Sequence, residues 1–169
     1  MRVIGITGRK NGGKTGLVER LASALVAAGY DVGTAKHVHH DAEVDMPGTD
    51  TWRHRRAGAR QVALVGARRT ALFEELRGAP EPSLREVLSR MDAQIVLVEG
   101  WKDGPHPKIE AWRVSCGSPP LLGAVPRLRA VAADSALPAP PPAGVPVVHL
   151  DDTGRLVELV LAHAEGPGW

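Results

Sequence analysis

The chain has 169 residues, 43% of them hydrophobic and 24% charged, and a net charge of +2. That is the length and balance of about one soluble domain, and it excludes a disordered chain, a coiled coil and a collagen-like repeat. The small charge excess does not require a nucleic-acid partner, and no apolar run reaches the ~18 residues of a membrane span.

The single cysteine, Cys116, allows no internal disulfide, so a reducing, cytoplasmic setting is expected. Met1-Arg2-Val3-Ile4-Gly5-Ile6 runs directly into a strand, and no leader peptide is expected. Arg2–Thr7 is a β-branched apolar run and reads as a buried strand. Gly8–Lys14 is a glycine-rich turn. Thr15–Ala28 carries Leu17, Val18, Leu21, Leu25 and Val26 at helical spacing, and Gly29 stops that helix. Asp31–Lys36 is a second strand, and His37–Gly48 is a polar loop. Thr49 or Asp50 caps a short helix to about Ala57, ended by Gly58.

Gln61–Gly66 and Arg69–Phe73 read as short strands, and Pro80–Ser83 as a turn before a helix to Met91. Gln94–Glu99 holds four consecutive branched apolar residues, the pattern of a central parallel strand. Lys108–Arg113, Ala130–Ala133 and Val145–Leu150 are further strands, and Gly154–Ala164 is a last helix. The four prolines within Pro138–Pro142 place that stretch on the surface. Strands alternating with helices predict a mostly parallel sheet.

Gly8-Arg9-Lys10-Asn11-Gly12-Gly13-Lys14-Thr15 matches G-x-x-x-x-G-K-[ST] between a strand and an amphipathic helix. Glycines let successive amides point inward at phosphate oxygens, beside a helix N-terminus. Lys14 is placed to reach the β- and γ-phosphates, and the Thr15 hydroxyl to hold Mg²⁺. Glu99, at the end of the most apolar strand, is the candidate second Mg²⁺ carboxylate. The expected fold is therefore α/β, a three-layer P-loop NTPase fold with a mostly parallel central sheet, as one domain over 1–169.

The segment after the second strand is unusual: Lys36-His37-Val38-His39-His40-Asp41-Ala42-Glu43-Val44-Asp45. In one reading it is a switch segment, with Asp41 or Asp45 helping to hold Mg²⁺ and a histidine touching substrate. In another, imidazoles and carboxylates hold a transition metal. The plainest reading is a solvated loop. Arg53, Arg56 and Arg60 share one helix face and offer an anion site or merely a charged surface. The loop Trp101–Lys108 follows Glu99-Gly100 and is placed to close over a ligand, with Trp101 and Lys102 nearest that strand end.

Taken together, these stretches resemble the molybdopterin-guanine dinucleotide biosynthesis protein B (MobB) family. The resemblance rests on Gly8–Thr15, on Lys36-His37-Val38-His39-His40-Asp41 through Asp45-Met46-Pro47-Gly48-Thr49-Asp50, and on Trp52–Ala59. It continues through Val96–Lys102, Pro107-Lys108-Ile109-Glu110 and Ala130–Asp134. It implies a GTP-binding, usually homodimeric protein that assists attachment of a guanine nucleotide to molybdopterin. It further implies slow GTP hydrolysis, Mg²⁺ as cofactor, and a MobA-type nucleotidyltransferase as partner. On the resemblance, Gly8–Thr15 bind phosphates, Lys14 and Glu99 act at the reacting end, and His37–Asp50 contact Mg²⁺ or the pterin. By position after an apolar strand, Asp134 is placed to accept hydrogen bonds from guanine. Ala132 stands where the [NT]-K-x-D guanine signature has lysine.

Two other readings share the phosphate loop. A small-molecule kinase using ATP needs an arginine-rich lid, and Arg68-Arg69 lies in no long lid segment. A metal-delivery GTPase would carry nickel or zinc on His37–Asp45, usually with more His or Cys clusters. A purely conformational adapter overlaps with the family reading. No glutamine stands at an evident water-positioning site, and Arg9 and Arg53 have only proximity to commend them as arginine fingers, so weak intrinsic GTPase activity is expected from this absence.

Overall fold

The first strand, β1 (Arg2–Thr7), lies at the centre of the sheet because Val3, Ile4 and Ile6 all escape solvent completely. The computed structural model describes residues 1–38 and 42–169, and these fall into two compact units, Met1–His37 with Leu84–Trp169, and Val38–Ser83. His39, His40 and Asp41, named above as candidate ligands, lie outside the described residues.

In the larger unit β1 leads to α1 (Lys14–Ala27) and β2 (Val32–Lys36). The chain resumes with α3 (Leu84–Leu88), β5 (Ile95–Glu99), β6 (Lys108–Trp112), β7 (Leu128–Ala133), β8 (Val147–His149) and α4 (Thr153–His163). The strands form one six-stranded sheet in the order β2-β5-β1-β6-β7-β8, and every ladder is parallel. Arg2 pairs with Ile95 and Ile6 with Glu99 on one side of β1, and Gly5 pairs with Lys108 on the other.

Both faces of this sheet are covered, which is why β5 is buried at all five positions. Ile4, Ile6, Ile95 and Leu97 point to the layer where Leu17, Leu21 and Leu25 of α1 meet Leu156, Leu159 and Val160 of α4. Val3, Val96 and Val98 point the other way, onto Leu84 and Leu88. The period-two alternation of β1 and β5 thus feeds two separate apolar layers. Strand order reverses at β1: β5 and β2 lie to one side, and β6, β7 and β8 to the other. In such sheets the crevice at the carboxyl ends of the strands flanking the reversal is where ligands enter.

The smaller unit holds α2 (Asp50–Arg56) and an antiparallel hairpin of β3 (Gln61–Val65) and β4 (Thr70–Glu74). Thr49 caps α2 by accepting from the Trp52 N–H. The two short strands expected here form their own sheet. They do not join the parallel one.

Several boundaries differ from the sequence reading for local reasons. The helix expected to reach Met91 stops at Leu88, because Arg90 and Met91 donate three residues back and tighten the last turn. The last strand begins after Pro146, which has no N–H to donate. Two short 3₁₀ turns, Val114–Cys116 and Leu122–Ala124, were not anticipated. No helix among the described residues is long and apolar enough to cross a membrane.

Candidate functional site

The loop Gly8–Gly13 connects the carboxyl end of β1 to the first turn of α1. α1 begins at Gly13 with no side-chain cap, so its leading amides remain available to an anion. Gly13 sits at φ 93°, and a Cβ there would stand 2.9 Å from Arg113 Nε. Only glycine allows both that backbone angle and that approach. Asn11 also has positive φ, at 62°, so the loop crest is tightly bent.

Lys14 folds back over this loop, its Nζ donating to Arg9 O at 2.8 Å. Partial burial lowers the pKa of its ammonium, while the Glu99 carboxylate opposes that shift. The lysine is thus a half-sheltered cation held by a single backbone carbonyl and ready to exchange it for a stronger acceptor. Arg9 and Lys10 are exposed on the loop's outer side.

Thr15 and Glu99 come together although they are far apart in sequence. The Thr15 hydroxyl donates to Glu99 at 3.1 Å from Oε1 and 3.3 Å from Oε2. Glu99 is only 7% exposed. Lys36, at the end of the next strand, places its Nζ 3.3 Å from Glu99 Oε1. A hydroxyl and a carboxylate are hard oxygen donors, and with phosphate oxygens and water they fit the octahedral demand of Mg²⁺. Of the four residues expected from sequence to hold Mg²⁺, Thr15 and Glu99 stand side by side, Asp45 belongs to the smaller unit, and Asp41 lies outside the described residues.

The backbone beyond Glu99 is shaped by Gly100 at φ 97°, where a Cβ would lie 2.8 Å from the His37 Cβ. That absence of a side chain lets His37 run beside the strand end, with its N–H donating to Glu99 O at 2.8 Å. The His37 ring lies against Trp101, centroids 4.9 Å apart and tilted by 36°. Trp101 also packs on the layer of Leu84 and Leu88, and Lys102 is exposed.

Asp134 directly follows β7, and its Oδ1 accepts the Val114 N–H at 2.9 Å. One carboxylate oxygen is thereby committed to holding the turn after β6. That turn carries Arg113 and Ser115, which line a cleft of about 420 Å³ together with Asn11, Gly13, Lys14, Thr15 and Gly16. Sequence reasoning did not single out Arg113. A lone arginine after an apolar strand has no local signature, and its place depends on β6 lying beside β1.

In the smaller unit Asp45 organises the start of α2, its Oδ1 accepting from Thr49 at 3.1 Å and Thr51 at 3.0 Å. Arg55, not one of the arginines chosen by helix spacing, is the charged hub there. It reaches Glu75 at 2.6 Å and Glu43 at 3.1 Å, and lies over Phe73. Arg53 and Arg56 line a separate cleft of about 550 Å³ with Trp52, and Arg56 lies over the Trp52 ring at 5.8 Å. Arg60 pairs with Glu74 at 2.9 Å.

Comparison with known proteins points one way. The family model of molybdopterin guanine dinucleotide synthesis protein B, MobB, matches residues 3–134. The molybdopterin-guanine dinucleotide biosynthesis adapter protein of Haemophilus influenzae is 40% identical over 111 residues, covering 63% of this chain and 61% of that protein. Its Escherichia coli counterpart is also 40% identical over 111 residues, covering 64% and 63%. The match therefore spans less than two thirds of the length of these relatives. The crystal structure of Bacillus subtilis MobB has a TM-score of 0.76 and 25% identity, covering 98% of this chain and 99% of that one.

Proposed function

This chain belongs to the molybdopterin guanine dinucleotide synthesis protein B family, and we propose that it is a GTP-binding adapter in molybdopterin guanine dinucleotide biosynthesis. The observation that carries the nucleotide reading is the junction of the Thr15 hydroxyl and the buried Glu99 carboxylate beside the Gly8–Thr15 loop. The names of the relatives support the pathway.

In this reading the amides of Gly8–Thr15 receive the phosphate oxygens, and Lys14 leaves Arg9 O to reach the β- and γ-phosphates. Thr15 and Glu99 are the residues that would hold Mg²⁺, which neutralises phosphate charge when bound. A guanine contact by Asp134 would use Oδ2, since Oδ1 is engaged by Val114. Hydrolysis is slow, because the site gathers groups that bind phosphate, and the one acid among them, Glu99, is already shared between Thr15 and Lys36. The protein acts in the cytoplasm as a homodimer and presents bound nucleotide, and in time the pterin, to a MobA-type nucleotidyltransferase.

Calorimetric titration with GTP and with ATP, each with Mg²⁺ and again with EDTA, tests this. GTP preference that requires Mg²⁺ is expected. Equal or tighter ATP binding overturns the guanine reading and favours a small-molecule kinase.

A further inference from the structure

Two differently built clefts flank the start of α1 and share Thr15. On the β5 side stand Thr15, Glu99 and Lys36. On the β6 side stand Arg113 and Ser115. β6 runs parallel to β1 with Thr7 opposite Glu110, so the residues after Trp112 emerge beside the loop that leaves β1. The point 2.9 Å from Arg113 Nε, where a Gly13 Cβ would stand, is also 3.2 Å from Leu150 Cδ2, just past β8. Arg113 therefore closes its cleft from the side opposite the acid.

Its placement is fixed. The Arg113 carbonyl accepts the Cys116 N–H at 3.0 Å, and Asp134 holds the very next amide. Its chemistry is incomplete. The Arg113 Nε is out of solvent and has no hydrogen-bond partner among the described residues. A buried N–H without an acceptor is costly, and native structures keep such groups mainly where a ligand or water supplies one. A planar guanidinium on a cleft whose lining holds a second cation, Lys14, and no acid is suited to a phosphate oxygen.

We propose that Arg113, with the Ser115 hydroxyl, binds the α-phosphate of the nucleotide from the flank opposite the metal donors. The proposal rests on the nucleotide reading above. Thr15 and Glu99 would hold Mg²⁺ at the terminal end of the triphosphate, so the terminal end is assigned toward Glu99 and the nucleoside end toward Arg113. Arg113 is thus a binding determinant shared by di- and triphosphate, and it does not sense the γ-phosphate.

Titrations of GTP and GDP, both with Mg²⁺, into wild type, Arg113→Met, Arg113→Lys and Lys14→Ala test this. Methionine keeps the apolar stem against Gly13 and removes every donor, so unfolding is not confused with lost contact. Arg113→Met is expected to weaken GTP and GDP alike, by roughly 10- to 100-fold. Lysine restores part of the loss. Affinities within twofold of wild type for both nucleotides overturn the proposal while leaving the nucleotide reading intact, provided Lys14→Ala abolishes binding. A loss confined to GTP overturns the α-phosphate placement. If wild type binds neither nucleotide, the nucleotide reading itself falls and this proposal falls with it.

Discussion

Lys36 Nζ stands 3.3 Å from Glu99 Oε1, the same oxygen that takes the Thr15 hydroxyl at 3.1 Å. The chain's own cation thus shares the carboxylate that the proposed metal needs. Lys36 is 53% exposed along its side chain, so the pair is worth about 0–1 kcal/mol. Lys36→Met is therefore expected to lower the Mg²⁺ concentration needed for half-maximal nucleotide binding by roughly two- to fivefold. A Mg²⁺ titration at fixed nucleotide reads this, and a higher Mg²⁺ requirement would show that Lys36 assists the metal.

Among the described residues Lys14 Nζ donates to Arg9 O. Lys14→Ala is expected to weaken GTP binding by roughly 10- to 100-fold or more. Its melting temperature should stay within about 4 °C of wild type, as a half-buried lysine with a backbone hydrogen bond costs about 1 kcal/mol. Calorimetry and thermal circular dichroism check the two halves. Unchanged affinity would remove the phosphate-loop assignment.

His106 is fully buried, its ring against Trp169 at 5.7 Å, and neither ring nitrogen has a partner among the described residues. Burial, with the positive charges of Lys108 and Arg127, pushes its pKa down to about 3. The unfolded chain binds the proton at its ordinary value of 6.5. Between those values the unfolded state holds more protons, so stability falls as pH falls. The slope approaches about 1.4 kcal/mol per pH unit. Urea unfolding at about pH 7.5 and about pH 5 should show this loss, and His106→Gln should flatten it. Equal slopes in both proteins would sink the assignment to His106.

Lys108 is an ammonium with no exposed surface. It donates to the carbonyls of His106 at 2.8 Å and Pro126 at 3.3 Å, and to Gly104. It ties the loop after β5 to the start of β7, and Lys108→Met leaves those carbonyls without their donor. A loss of about 1–3 kcal/mol is expected, with faster amide exchange across residues 100–107. Wild-type exchange in that loop would show that the lysine anchors nothing.

In the smaller unit, Arg55→Ala breaks the links to Glu43 and Glu75 at once. Hydrogen exchange should quicken across 42–83 while α1 and β1 keep wild-type protection. Arg53→Ala, which removes the long ion pair to Asp50 at 4.0 Å, should leave that exchange unchanged.

Much of the fold was legible because parallel strands buried on both faces read as unbroken apolar runs. Ile95–Val98 and Val3–Ile6 were readable for that reason. Thr15 and Glu99 were legible because each sits in a local pattern, a loop motif and a strand end. Arg113 was not, since its value comes from which strand lies next to β1. Arg55 was missed because spacing on a helix identifies a face and does not reveal which distant acids meet it. Lys108 and His106 looked like loop and strand polar residues. Their burial depends on the packing of β6 against β1 and β7, which no short window contains.

The order of the central sheet also has a consequence in time. β1 is made before its neighbours β5 and β6, with Arg2 beside Ile95 and Gly5 beside Lys108. An apolar strand must wait, unpaired, until synthesis has passed Glu99 at the end of β5. Pairings this distant in sequence slow folding and leave the early strand open to aggregation. The glycine-rich loop that leaves β1 therefore takes its working shape only after β5 and β6 have been made.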